Sequence, residues 1–163
     1  KFTFIEGGVT QNFRCGLAGQ LHMNAQGGIF LDTKPEHFID YKQFNGNRTI
    51  FANTRTSAYQ LLDYYTYSTR DYYGSLHLEQ YFNGWIFHKI PLLKKTKLRE
   101  IVGLHYLTND LVSNYWEASF GIDNIFKTIR IDYVLGFEGG TLMRNGIVLR
   151  IPFVNKGGIG IEF

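Results

Sequence analysis

The sequence lacks most of the features that announce a chemistry. Cys15 is the one cysteine in 163 residues, so no disulfide forms within the chain and no thiolate zinc site is available. No run of about 18 apolar residues occurs, which excludes a transmembrane helix but not a membrane barrel, whose strands carry a weak hydropathy signal. The net charge is only +3 and forms no basic stripe, leaving nucleic-acid binding without support. Phe137-Glu138-Gly139-Gly140 lacks the strand-to-helix setting of a phosphate loop. Asp32, Glu36, His37 and Asp40 lie close together in 31–43, but their spacing does not match a calcium loop. No metal and no cofactor is expected.

Aromatics, in contrast, are abundant: 17% of residues, with 14 Phe and 11 Tyr against 3 Pro. Membrane barrels collect such rings at the two lipid–water interfaces, although soluble strands favour them as well. The arrangement says more than the amount. Ile129, Ile131, Tyr133, Leu135 and Phe137 alternate with Thr128, Arg130, Asp132 and Gly136. Successive strand side chains point to opposite faces, so this segment has one apolar and one ionic side. Leu21–Ile29 and Trp116–Ile122 (with Phe120) repeat the pattern. A soluble sandwich needs a second sheet over each apolar face, whereas a transmembrane barrel covers that face with lipid and keeps the polar one around its lumen.

The alternation and turn residues predict nine strands, at 1–6, 18–30, 44–53, 58–67, 72–82, 97–107, 115–122, 127–137 and 146–153 with continuation to 163. Gly7-Gly8, Asn45-Gly46, Asn83-Gly84, Asp123-Asn124, Gly139-Gly140 and Asn145-Gly146 mark the breaks. No linker or repeat divides the chain, so residues 1–163 read as one domain, an antiparallel up-and-down meander. The segment 85–97, with Pro91 and its lysines, reads as an irregular connector. With both termini on the periplasmic side, 85–97 and 123–126 fall there, while 32–43, 69–70 and 108–114 face outward. Phe2 and Phe4 read as a strand already under way, and nine is an odd count. Upstream barrel strands are therefore expected as partners, and the chain is not expected to close alone.

On the polar faces, His77 and Glu79, His105 and Arg99, and Arg130 and Asp132 form a candidate lumen cluster, better explained by pairing across a barrel than by catalysis. Trp116, Phe120, Ile129, Ile131, Tyr133 and Leu135 are expected to face lipid. A charge at Ile131 should then be costly and Asp132→Asn mild. Tyr59, Tyr64, Tyr65, Tyr67, Tyr72 and Tyr73 read as an interfacial girdle, or less readily as a sugar-stacking platform.

Several runs in order carry a family resemblance: FIDYKQFNGN at 38–47, LLDYYTYST at 61–69, NGWIFHKIPLL at 83–93, EIVG at 100–103 and RIDY at 130–133. Across nearly the whole chain they resemble a Bacteroidetes outer-membrane family of unknown function that joins an N-terminal carboxypeptidase-regulatory-like domain to a C-terminal β-barrel. The resemblance implies the C-terminal part of that barrel, and no peptidase activity. Ile159, Ile161 and Phe163, alternating to a terminal aromatic, are similar to the last strand of outer-membrane proteins. The expectation is a non-enzymatic barrel of a Gram-negative outer membrane, partnered by the lipid bilayer and by outer-membrane or periplasmic proteins, in transport, surface or structural work. The alternatives are a soluble barrel holding a small apolar ligand, a barrel enzyme, and an insertase. The Arg-Gly-Phe/Tyr lid motif of insertases is not found.

Overall fold

Seven strands pair in chain order into one antiparallel sheet: β1 Thr3–Arg14, β2 Gln20–Leu31, β3 Tyr72–Tyr81, β4 Arg99–Asn109, β5 Tyr115–Ile125, β6 Ile129–Glu138 and β7 Thr141–Arg150. The computed structural model describes residues 2–31, 35–51, 57–82, 84, 87–89, 96–112 and 114–151. The protein is all-β, and β1 and β7 are the two edges of the sheet.

The sheet is strongly curved. Four strand spacings of about 4.8 Å separate β3 from β7, about 19 Å along a flat sheet. Yet Arg150 Nη1 on β7 lies 3.1 Å from Glu79 Oε1 on β3. Only a sheet rolled toward its polar side brings those side chains together. Register follows the period of two: His77 pairs with His105, His105 with Glu117, and Ser119 with Val134, so one parity in each strand faces the concave side.

Burial is inverted relative to a soluble sheet. On the concave side His77, Glu79, His105, Glu117, Arg130, Asp132 and Arg150 are all buried. On the convex side Val102 is 43% exposed, Phe120 47% and Tyr133 48%, with Leu104, Ile131 and Ile147 also open. Among the described strand residues, Glu100 is the single charged residue of convex parity, near one end of β4.

The structure corrects several sequence expectations. Residues 44–51 and 57–67 are not sheet strands; they belong to a long connection between β2 and β3 that packs Phe44, Tyr59, Leu62 and Tyr67 on the concave face and meets the β7 edge by an isolated parallel bridge, Leu149 N to Ile50 O at 2.6 Å. They do meet, through Tyr59 N to Asn45 O (2.8 Å) and Asn47 N to Leu62 O (2.7 Å). That pairing is too short to make a ladder. Gly7-Gly8 does not break β1, which runs through it in register with Gly27 and Gln26. Asn145-Gly146 lies inside β7, and the β6–β7 turn is Gly139-Gly140, both with positive φ. The turn expected at 123–126 falls at 126–128, after an irregularity between Ile122 and Ile125. The continuation past 151, with Ile159, Ile161 and Phe163, lies outside the described residues, as do Asp32 and most of 85–97. Cys15 is exposed in the β1–β2 turn.

Candidate functional site

Two polar clusters fill the concave side. The first is an ionic ring of two arginines and two carboxylates. Arg130 Nη2 is 3.2 Å from Glu79 Oε1 and its Nε 2.8 Å from the Asp132 carboxylate. Arg150 Nη1 is 3.1 Å from Glu79 and its Nε 3.1 Å from Asp132. Each carboxylate meets both guanidiniums, and the charges sum to zero. Tyr81 Oη donates to Glu79 Oε2 at 2.8 Å, and the Arg130 guanidinium stands over the Tyr81 ring. The strand opposite Asp132 carries Gly121, where a Cβ would collide with the Asp132 carboxylate. Buried charges persist only where partners offset them, and the ring supplies ion pairing within itself, although Arg150 Nε and Asp132 Oδ2 face each other without hydrogen-bond geometry.

The second cluster anchors the β2–β3 connection. The Glu117 carboxylate accepts Gln60 N at 2.6 Å, Leu61 N at 2.9 Å and Tyr115 Oη at 2.6 Å. Two backbone donors that would otherwise be orphaned over a sheet are thereby paired with a charged acceptor. Gln60 Nε2 sits 3.2 Å from His105 Nε2, and His105 Nδ1 2.9 Å from His77 Nδ1. With the Gln60 amide donating, His105 carries its proton on Nδ1 and donates it to His77. Tyr59 packs its ring 4.7 Å from His77 and donates its hydroxyl to Tyr106 O at 2.8 Å. Tyr59 and Leu62 join Leu107, Val112 and Tyr115 in an apolar cluster. Burial pushes the Tyr59 hydroxyl well above its ordinary pKa, so it stays a donor. Tyr67 donates to Glu138 Oε2 at 2.9 Å; burial, then that bond, pushes its pKa up to about 12.

Five of the six residues expected in the lumen meet here: His77, Glu79, His105, Arg130 and Asp132. Arg99 does not. It has the same parity, but at the end of β4 it pairs with Asp123 at 2.6 Å and is half exposed. The lumen set expected from the sequence lacks Arg150, Glu117, Gln60 and Tyr59, the last of which was expected in the tyrosine girdle. Arg150 and Glu117 sit at polar positions of alternating strands, which is the signal that marks them; Gln60 and Tyr59 carry no such signal. Of the residues expected to face lipid, Phe120, Ile131 and Tyr133 are exposed, and Trp116, Ile129 and Leu135 are half-buried. Trp116 stacks on Phe137 with centroids 4.1 Å apart. The tyrosine series is not one girdle: Tyr59 and Tyr73 are buried, while Tyr64, Tyr65 and Tyr72 are exposed.

Among the described residues, no three His, Cys, Asp or Glu side chains come together to hold a metal ion. His77 and His105 are spent on each other and on Gln60.

A family model matches residues 1–122, about three quarters of the chain, and its description is "Family of unknown function (DUF5686) C-terminal domain". The chain belongs to that family. No curated protein and no solved structure matches it. The matched span holds β1 to β4 and most of β5, with Glu79, His105 and Glu117, but ends before Arg130, Asp132 and Arg150.

Proposed function

We propose that this C-terminal domain of the family is a non-enzymatic transmembrane β-barrel of a Gram-negative outer membrane, acting as a surface or structural component with a filled interior. The observation that carries the proposal is the inverted burial: His77, Glu79, Glu117, Arg130 and Asp132 are buried while Val102, Phe120, Ile131, Tyr133 and Ile147 are open. In water, a convex apolar face running across seven strands is a severe aggregation liability; in a bilayer it is the surface the solvent requires. A barrel storing a small apolar ligand needs an apolar interior, and the concave face supports that reading less. An enzyme would have to displace Tyr59 and Gln60 to reach the buried histidines.

Tyr59–Leu62 packs on the concave side, which supports a filled interior over an open pore. The Bacteroidetes origin and the regulatory-like domain upstream belong to the same proposal. So does a further strand on the edge of β1, which has no neighbour among the described strands: in lipid, each unpaired backbone group costs several kcal/mol, and an edge must be closed. Fractionation tests the proposal. The protein is expected in the membrane pellet after an alkaline carbonate wash and in solution only with detergent. Recovery in the supernatant without detergent would refute it.

A further inference from the structure

We infer that the β2–β3 connection forms a binding cleft for a neutral oligosaccharide. The inference rests on the folded connection and not on lipid around the sheet. Gln43, Phe44, Asn45, Phe51, Tyr64 and Tyr65 line the cleft together with Gly46, Asn47 and Ala58, and among these described residues none is charged. Three of its rings face water: Tyr64 is 49% exposed, Tyr65 59% and Phe51 62%. Core tyrosines of this connection, such as Tyr59, lie buried on the concave face, so the exposure of these three is not a requirement of packing.

The walls are held in place. Tyr65 has φ of 67°, a left-handed conformation that is uncommon for a residue with a large side chain. Ser68 fixes it, donating to Tyr65 O from its backbone N at 3.3 Å and from its hydroxyl at 3.0 Å. Phe38 backs the Tyr65 ring edge-on at 5.7 Å, and the Tyr64 and Tyr65 rings stand 6.3 Å apart at 49°. Across the cleft, the Asn47 amide donates to Thr49 O at 2.7 Å and to Gln60 O at 3.2 Å. Gly46 allows the close approach, because a Cβ there would strike Leu62 O. A strained, fixed backbone that presents aromatic faces to water is preorganised for a ligand.

The ligand class follows from the lining. The C–H faces of a pyranose stack on aromatic rings, and its hydroxyls exchange hydrogen bonds with amides. Gln43 and Asn45 line the cleft, and their side-chain amides are available for such bonds. A phosphate or carboxylate would need a cation in the wall, and the described lining residues supply none. An apolar peptide would need a dry groove without amides.

The test uses the protein purified from membranes in a detergent without a sugar headgroup, titrated calorimetrically with maltohexaose, cellohexaose and mannohexaose, and with a sulfated heparin hexasaccharide. If fractionation places the protein in the soluble fraction, the same titrations are run in buffer, so the two proposals fail separately. At least one neutral hexasaccharide is expected to bind with a sub-millimolar Kd. Tyr64→Ala and Tyr65→Ala should each weaken it by at least about tenfold, Tyr65→Phe should keep it, and Tyr133→Ala on the convex face should leave it unchanged. Unaltered heat-modifiable migration of the variants separates lost stacking from lost folding. If Tyr65→Ala unfolds, Tyr64→Ala and Asn45→Ala carry the test. Binding by none of the three neutral sugars, tighter binding of the sulfated one, or indifference to the tyrosine substitutions would overturn the inference.

Discussion

The hairpin β1–β2 and the sheet β3–β7 alternate in the same way, yet their interiors differ. In β3–β7 the central concave residues, from His77 and Glu79 to Asp132 and Arg150, are buried and pair with one another. In β1 every concave residue beyond Phe4, from Glu6 to Arg14, is exposed, as is the convex set Ile5, Val9 and Phe13. Asn24 on β2 finds a partner only sideways, in Thr10. Alternation therefore fixes which way a side chain points, whereas burial depends on what stands across the curve. β3 has β6 and β7 opposite it; β1 and β2 have no such partner among the described strands. The polar interior is a property of the rolled sheet, and the hairpin has only the pattern.

The largest effect that separates the two regions is loss of a concave charge. Glu79→Ala leaves Arg130 and Arg150 buried with Asp132 as their one remaining shared carboxylate, an excess of one buried positive charge, and should cost about 3–5 kcal/mol. Glu6→Ala removes a partly exposed pair with Lys42 (2.7 Å) and the acceptor of the Tyr73 hydroxyl (2.7 Å), and should cost about 1–2 kcal/mol. Urea midpoints in detergent or liposomes, read by heat-modifiable migration, give both values; equal losses would dissolve the distinction. Next comes the convex face. Ile131→Arg should cost about 2–4 kcal/mol in a bilayer, and Val9→Arg the same only where β1 is also embedded. Little cost at both positions would contradict lipid coverage.

A smaller effect is expected at the anchor of the connection. Glu117→Gln exchanges a charged acceptor for a neutral amide against Gln60 N, Leu61 N and Tyr115, a loss of about 1–3 kcal/mol. Limited proteolysis should then cut within 57–71 sooner, while the strands stay resistant. Smallest is the surface pair. The Arg144 hydrogen bond holds the Asp63 carboxyl below its ordinary value of 3.8. A depressed carboxylate contributes stability that is present above 3.8 and is lost as the pH falls through the lower folded value. Proteolysis of the connection with an acid-active protease should therefore accelerate only below about pH 4, and Asp63→Asn should remove that dependence. Unchanged acid sensitivity in the variant would place its origin elsewhere.

Strands β3 to β6 were legible because their alternation is strict and Gly or Asn lies at or near most of their turns. The connection was not. Phe44-Asn45-Gly46 and the tyrosines of 59–67 have strand composition, but Tyr59 and Leu62 are drawn into a cluster with Leu107, Val112 and Tyr115. Composition does not distinguish a segment that pairs from one that packs across a curve. Gly7-Gly8 looked like a turn, yet both residues pair within β1, where a Cβ at Gly8 would press on the Gln26 side chain. His77 and Glu79 were found from parity alone. The ring they belong to was not, since Glu79, Asp132 and Arg150 are distant in sequence and meet only when the sheet rolls. For the same reason Asp132→Asn, mild on alternation alone, is expected to be costly: the carboxylate faces two buried guanidiniums.

The central claim, that the convex face lies against hydrocarbon, is tested most directly by depth-dependent quenching with brominated lipids. In a Trp85→Phe background, Trp116 reports from near the start of β5, and Trp116→Phe with Phe120→Trp reports from the middle of the same strand. The account predicts that Trp116 is quenched most by bromine near the headgroup, that the tryptophan at position 120 is quenched most by bromine deep in the chain, and that aqueous iodide reaches neither well. Strong iodide quenching at position 120, with no response to bromine at any depth, would contradict it.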